Sequence, residues 1–545
     1  MEHLEHKKKI TIMIAILAAM LFAALNQTIV STALPRIISE LNSTMDYYSW
    51  IFTVFMLAST ITAVLVGKLS DIYGRKPFIL TGIFLFMAGS LLCGLSGNII
   101  QLIVYRGVQG LGAGMIMSTS FTAIGDLFAP RERGRWQGLM GGVFGLASVF
   151  GPTLGGWIVD HADWHWVFWV FLPIGVLAFA LIMALFPSVP KREGETVDYF
   201  GSFFLTACIV PLLLAFTWAG NRYDWGSPTI VGLLIGAAAA LALFVAAEWK
   251  AKSPVLPLHM FANSVFTLSN VVGFIIGAGM FGAIMYMPFF VQGVIGTSAT
   301  ISGYVMMPMT LSLVVGSAIS GQIITKTGKY KLQALVGLAI MGSGMWLLTT
   351  MNTGTTNAVA IAYMIVVGLG LGISFPIFTL TVQNAVSDRL LGVATASTQL
   401  FRQLGGTIGV AVMGTVMNHR MSDRMAELAS SLESDASAVP PEAAGAFEQL
   451  RDPQVLIDPS KLAAVERALP AGMEERFDAV VAALREALSY SLTGVFLTCA
   501  AVIVVAFALT LFLKEVPLRT GKRGKPAEAG EASGNSGMKL QENNG

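Results

Sequence analysis

Gly67-Lys-Leu-Ser-Asp71-Ile-Tyr-Gly74-Arg75-Lys76 and, 254 residues later, Gly321-Gln-Ile-Ile-Thr325-Lys-Thr-Gly328-Lys329-Tyr330 are two copies of one pattern. Each joins two apolar stretches, sets its glycines seven residues apart and follows the second with a base. Two further matches keep nearly the same offset. Gly110-Leu-Gly112-Ala-Gly114 answers Gly368-Leu-Gly370-Leu-Gly372, and Gly134 answers Gly392, both 258 residues apart. A nearly constant separation marks an internal duplication.

The 545-residue chain around this repeat is 54% hydrophobic and 12% charged, with a mean hydropathy of +0.70. So few charges cannot cover a water-soluble protein of this length, which excludes soluble globular, disordered and fibrous classes. A net charge of +2 leaves no electrostatic footprint for nucleic acid. Cys93, Cys208 and Cys499 each sit alone in an apolar run, as packing residues do.

A bilayer-crossing helix needs about 20 mostly apolar residues. Fourteen stretches qualify, near 10–32, 48–66, 78–97, 100–124, 136–159, 166–187, 200–219, 229–249, 264–291, 301–324, 332–351, 357–382, 392–417 and 490–513. Short loops on one side carry the basic residues, among them Lys68, Arg75, Lys76, Arg131, Arg133, Lys326 and Lys329, whereas the opposite loops hold only Arg36 and Arg222. Lysine and arginine gather on the cytoplasmic side. Both termini are therefore expected in the cytoplasm.

The duplication pairs spans 1–6 with spans 9–14 and leaves spans 7 and 8 as an insertion. The expected layout is a six-helix bundle over 1–190, two inserted helices over 191–260 and a second bundle over 261–515. Residues 418–489, cut by five prolines, read as an external loop of short helical pieces, and 516–545 as a disordered cytoplasmic tail. Two parallel six-helix halves are the plan of transporters that rock about a midplane site. An ion channel would show a filter or a charged ring.

These residues resemble the major facilitator superfamily, in its fourteen-helix drug:proton antiporter branch. Gly67 to Lys76 is similar to the loop motif G-x-L-x-D-x-x-G-R-K, and Arg106-Gly-Val-Gln109-Gly110 to the fourth-helix motif. Gly151-Pro152-Thr-Leu-Gly155-Gly156 resembles the fifth-helix antiporter motif, Leu25 to Pro35 the first-helix signature, and Arg402-Gln403-Leu-Gly405-Gly406 a thirteenth-span stretch common in the branch. The resemblance implies an all-α membrane protein of two six-helix bundles plus two inserted helices. It further implies a loop latch of Gly67, Asp71, Gly74, Arg75 and Lys76, with Arg75 expected near Asp126 and Asp71 near the N-terminus of span 13. The run Gly145, Gly151, Pro152, Gly155 and Gly156 should let span 5 pack closely on a helix of the other half.

Arg106 lies inside span 4, where an ionised side chain marks a functional site by default. The resemblance supplies its partner as a first-helix aspartate that exchanges its proton with drug binding; here that position is Asn26. Asparagine can bond the guanidinium but cannot titrate. Three explanations stay open: a substitution imitating the protonated aspartate, a proton carried by an edge carboxylate such as Asp71, Asp126 or Glu248, or transport without proton coupling.

The cavity is expected between spans 1, 2, 4 and 5 and spans 9, 10, 12 and 13. Its expected lining includes Phe22, Trp50, Phe55, Met285, Tyr286, Phe289, Gln292, Tyr304, Met307, Phe375, Phe378, Asn384, Gln399 and Arg402. Methionine and aromatic faces adapt to varied apolar or cationic ligands. Trp164 and Trp166 read as part of the external aromatic belt. The six histidines form no metal or triad pattern, so an enzyme is not expected. The expected activity is proton-coupled export of amphipathic, cationic or neutral compounds across a bacterial inner membrane. The expected protein is monomeric, with protons, small amphipathic molecules and lipid as partners and no metal, cofactor or nucleic acid. A lipid flippase and a transport-dead sensor are the alternatives.

Overall fold

A computed structural model describes residues 5–41, 48–188, 196–220, 222–297, 299–433, 462, 465–467 and 474–517. In lipid the backbone polar groups must be satisfied within the protein, so long apolar runs fold as helices. The first half comprises α1 (His6–Glu40), α2 (Tyr48–Tyr73), α3 (Arg75–Gly94), α4 (Ile99–Leu127), α5 (Pro130–His161) and a sixth span broken into α6 (Trp166–Trp169) and α7 (Leu172–Leu185). The insertion is α8 (Tyr199–Trp218) and α9 (Pro228–Lys250). The second half comprises α10 (Ser264–Phe289), α11 (Ala299–Thr327), α12 (Lys331–Leu348), α13 (Asn357–Ala385), α14 (Leu391–Glu433) and α15 (Glu474–Leu511). Side-chain caps begin several of them. Asn98, Asp198 and Asn263 accept from backbone N–H groups of α4, α8 and α10 at 2.9, 2.8 and 2.9 Å, a contribution of about 1 kcal/mol each.

Among the described residues thirteen helical stretches are long and apolar enough to cross a bilayer. The remaining expected span is α5, a 32-residue helix whose glycines and charged first turn dilute its hydropathy. Each half has its own apolar core, and the inserted pair joins them. Leu205, Ile209 and Phe244 of the insertion share one cluster with Val64 of α2 and Leu400 of α14.

The duplication is visible in three dimensions. Gly74 and Gly328, the second glycines of the two loop patterns, both take positive φ, 88° and 70°, where a side chain would be strained. The two glycine triplets also do one job twice. Gly110 and Gly114 lie against the α2 backbone at Phe55 and Ser59, with Gly112 against Phe86 of α3; Gly368 and Gly372 lie against α11 at Met309 and Leu313, with Gly370 against Met341 of α12. Between helices in lipid, such backbone contact replaces the hydrophobic drive available in water.

Two expectations need correction. The ends of segment 418–489 are not short pieces: α14 continues unbroken to Glu433 and α15 starts at Glu474, because each flanking span carries its helix beyond the apolar run. The five prolines expected to divide the segment lie outside the described residues. The tail is fastened at its start. Val516 N donates to the Tyr330 hydroxyl at 2.7 Å, Tyr330 N donates to Glu515 at 3.0 Å, and Asn384 Nδ2 donates to Val516 O at 3.3 Å. Residues 518–545 lie outside the described residues.

Gly112→Leu and Gly370→Leu should each lower stability by about 1–3 kcal/mol through forced helix separation. Gly156→Leu, at a site where an added Cβ meets nothing within 4 Å, should not. Thermal unfolding of the detergent-solubilised protein checks all three.

Candidate functional site

Arg106 is fully buried in α4, and Asn26 fully buried in α1 faces it. Arg106 Nη1 donates to Gln109 Oε1 at 2.7 Å and to Asn26 Oδ1 at 3.3 Å. Gln109, one turn along α4, donates from Nε2 to the same Asn26 oxygen at 2.9 Å. Asn26 Nδ2 donates to Ser90 Oγ at 3.3 Å, and Ser90 passes its own proton to Phe168 O at 2.6 Å. The Phe55 ring covers the guanidinium, with Cζ 4.2 Å from its centroid. Nε and Nη2 have no hydrogen-bond partner among the described residues. Among the described residues no carboxylate enters this hub: a buried cation is held by neutral amides and one aromatic face.

The same Phe55 ring lines a cavity of about 680 Å³ between the halves, within the usual range for small-molecule sites. Its walls come from α1, α2, α4 and α5 on one side and α10, α11, α13 and α14 on the other. Seven methionines line it, including Met56, Met117, Met280, Met306 and Met309, with five phenylalanines. Arg402 is its one charged lining residue among those described, lying over the Phe375 ring at 3.9 Å. The expected cationic cargo therefore has no lining carboxylate to receive it.

Of the expected lining residues, Phe55, Met285, Met307, Phe375, Gln399 and Arg402 reach the cavity. The others do not. Phe22 is buried edge-on against Phe86, and Trp50 packs on Trp218 of the insertion. Tyr286, about 100° round the helix from Met285, turns its hydroxyl to Val410 O. Phe378 and Phe289 join the second-half core, Tyr304 is exposed, Asn384 holds the tail, and Gln292 sits in a π-turn away from the lining. Trp164 is corrected as well: it is 2% exposed and stacks on His165, whereas Trp166 is half exposed. In that loop His165 hydrogen-bonds Asp163 and holds its carboxyl below the ordinary range.

At the loop-motif end the halves close on each other. Arg75 Nε donates to Asp126 at 2.9 Å and Nη1 to Ser70 Oγ at 2.7 Å, while Nη2 pairs with Asp71. Asp71 also accepts from Gly392 N and Val393 N, each at 3.1 Å. Those are orphan donors in the first turn of α14, so a carboxylate from one half caps a helix of the other, where the dipole favours it. Gly67 makes this approach possible, since a Cβ there would stand 2.5 Å from Ala396 Cβ. Lys76 is half-buried and outside the network. The pseudo-symmetric mate of the Gly67 approach is Gly321 against Gly134. Gln137 and Gln383, which sequence reasoning missed, add a cross-half bond of 3.2 Å.

The fifth-helix glycines divide their work. Gly145 meets Thr310 of α11 in the other half, as expected of the run, and Gly138 meets Ser317 of the same helix, but Gly151 meets Thr28 of α1 in its own half. Thr28 is held there by donating to Ala147 O at 2.8 Å. Gly155 is buried, an added Cβ at Gly156 would meet nothing, and the Pro152 side chain lies outside the described residues. The close approach to the opposite half thus occupies the earlier turns of α5, nearer the loop motif.

The Major Facilitator Superfamily model matches residues 16–410. The chain is 38% identical to the multidrug transporter protein MdtP of Bacillus subtilis (strain 168) over 533 residues, 97% of each protein. It is 33% identical to multidrug resistance protein 3 of the same organism over 509 residues, 93% of this chain and 96% of that one. The solved proton:xylose symporter XylE is similar in fold, with a TM-score of 0.57 at 14% identity, over 93% of this chain and 96% of that chain.

Asp71→Asn keeps the shape of the cross-half cap but removes its charge, so the motif end should open more often. Spin labels on Tyr73→Cys and Lys329→Cys, on the two loop patterns, should report a longer mean distance in the variant, equivalent to about 1–2 kcal/mol of lost closure. An unchanged distance distribution would remove Asp71 from the closure.

Proposed function

Because the chain belongs to the major facilitator superfamily, we propose that it exports amphipathic organic compounds from a bacterial cytoplasm or inner leaflet by alternating access. The observation that carries this reading is the apolar, methionine-rich cavity between two halves that meet at the loop-motif end. Methionine and phenylalanine walls repack around varied apolar bodies without a fixed polar template. Names of relatives that include multidrug transport agree with such a wall. With the basic loops and both termini in the cytoplasm, the closed end is the cytoplasmic one and the cavity faces outward.

In alternating access, the closure around Asp71, Arg75 and Asp126 must break and re-form once per cycle. It combines a buried ion pair with a helix-end cap, both local to the interface between halves. Losing it shifts the balance of the two orientations without touching substrate.

Coupling to protons turns on Asn26. Its oxygen accepts from Arg106 and Gln109 while its nitrogen donates to Ser90. A protonated aspartate would accept and donate in the same two directions. An ionised one could only accept, so Ser90 would have to turn its hydroxyl from Phe168 O toward the carboxylate. Asn26 therefore holds the hub in the form a protonated aspartate would give it. The chain is a drug exporter of the antiporter plan whose first-helix proton site is fixed in its neutral form.

Substrate-induced proton release from purified protein in weakly buffered solution tests this. The chain with Asn26 should release no proton from this site, and Asn26→Asp should release up to one per substrate bound. Equal release from both proteins would move coupling to another carboxylate, and no release from the aspartate variant would end the reading.

A further inference from the structure

Two neighbouring donors on one stretch of α14 border the cavity and lack an acceptor. Arg402 forms no ion pair with a described residue and its guanidinium rests only on the face of Phe375. Gln399, one helical turn earlier, also lines the cavity, and its buried Nε2 has no hydrogen-bond partner among the described residues. Among the described residues the cavity lining holds no aspartate or glutamate. On the opposite wall, Phe55 stands between the cavity and another guanidinium, that of the buried Arg106, which also has no carboxylate partner among the described residues.

A guanidinium in a wall of low dielectric is costly until an anion reaches it, and its forked donors suit a planar carboxylate. An organic cation in the same space would meet like charge on both walls. Resting on the export reading above, we propose that Arg402 and Gln399 form an anion-recognition subsite, and that the transported compounds are amphipathic monoanions, with a carboxylate or sulfonate on an apolar ring system. The anionic group sits against Arg402 and Gln399, and the ring lies among the methionines and phenylalanines between the halves.

The test uses the full chain in phosphatidylcholine nanodiscs at neutral pH and three probes sharing one ring: 2-naphthylacetate, 2-naphthylacetamide and (2-naphthylmethyl)trimethylammonium. The acid should bind on the order of tenfold more tightly than the amide, and the ammonium most weakly. R402Q should bring acid and amide to about the same affinity, with thermal unfolding like that of the unmodified chain showing that the variant folds; R402K should keep part of the preference. The inference is overturned if the unmodified chain binds the acid no better than the amide, or if R402Q retains the full preference. Binding of amide and ammonium without acid preference would overturn it while leaving the export reading intact. Failure to bind any of the three probes would overturn both. Adding phosphatidylglycerol to the nanodiscs should leave acid binding unchanged. Its loss there would assign the subsite to an anionic lipid headgroup and overturn the soluble-anion reading.

Discussion

A positive charge buried among helices in a membrane has to be answered, and here the answer to Arg106 is neutral. Its guanidinium is held by Gln109, by Asn26 and by the Phe55 face, with two nitrogens unmet among the described residues. Charge-assisted hydrogen bonds of this sort are worth about 1.5–3 kcal/mol each, below the several kcal/mol that desolvating a lone cation costs. The remainder must come from the close packing of α1, α3 and α4 around the hub. Ser90 ties α3 and α6 into the same network through Phe168 O. The hub therefore couples four elements of the first half to the wall of the cavity, because Phe55 belongs to both.

The two halves are built alike but joined unequally. Gly67 on Gly392 and Gly321 on Gly134 are mates under the duplication, and both bring backbones into contact at one end. Only the first carries Asp71, Arg75 and Asp126. The first contact joins α2 to α14 through an ion pair and a helix-end cap, and its mate joins α11 to α5 through close backbone approach. The inserted helices lie across α2 and α14 at this ionic side, which places them where relative motion of the halves would be felt.

The fold was legible because its signals repeat. Hydropathy runs, basic loops and constant-offset glycines each report on long segments, and the glycines report on backbone contacts that admit no substitute. The contacts of the loop motif were legible for the same reason: Asp71, Arg75 and Asp126 are charges where lipid tolerates few, so each must find another. Asn26 and Arg106 also meet, at the long end of hydrogen bonding. Gln109 is the stronger partner of both and was visible only as part of a motif. Cavity residues were harder to read. A lining side chain differs from its core neighbour by a rotation of one residue, as Met285 and Tyr286 do, and composition does not carry that phase. Gly151 was misassigned for a related reason: small residues mark a close contact without saying which helix makes it.

A double-mutant cycle across the hub tests the dependence of Arg106 on Asn26 most directly. Asn26→Leu takes one acceptor from the guanidinium and Arg106→Met one donor from the amide, with Gln109 still beside the group that remains, while the double variant removes both groups at once. Unfolding free energies of the four proteins should give a coupling of about 1 kcal/mol or more, with the double variant less damaged than the sum of the single ones. Additive losses would contradict the account, since they would mean that the two side chains stand close without holding each other.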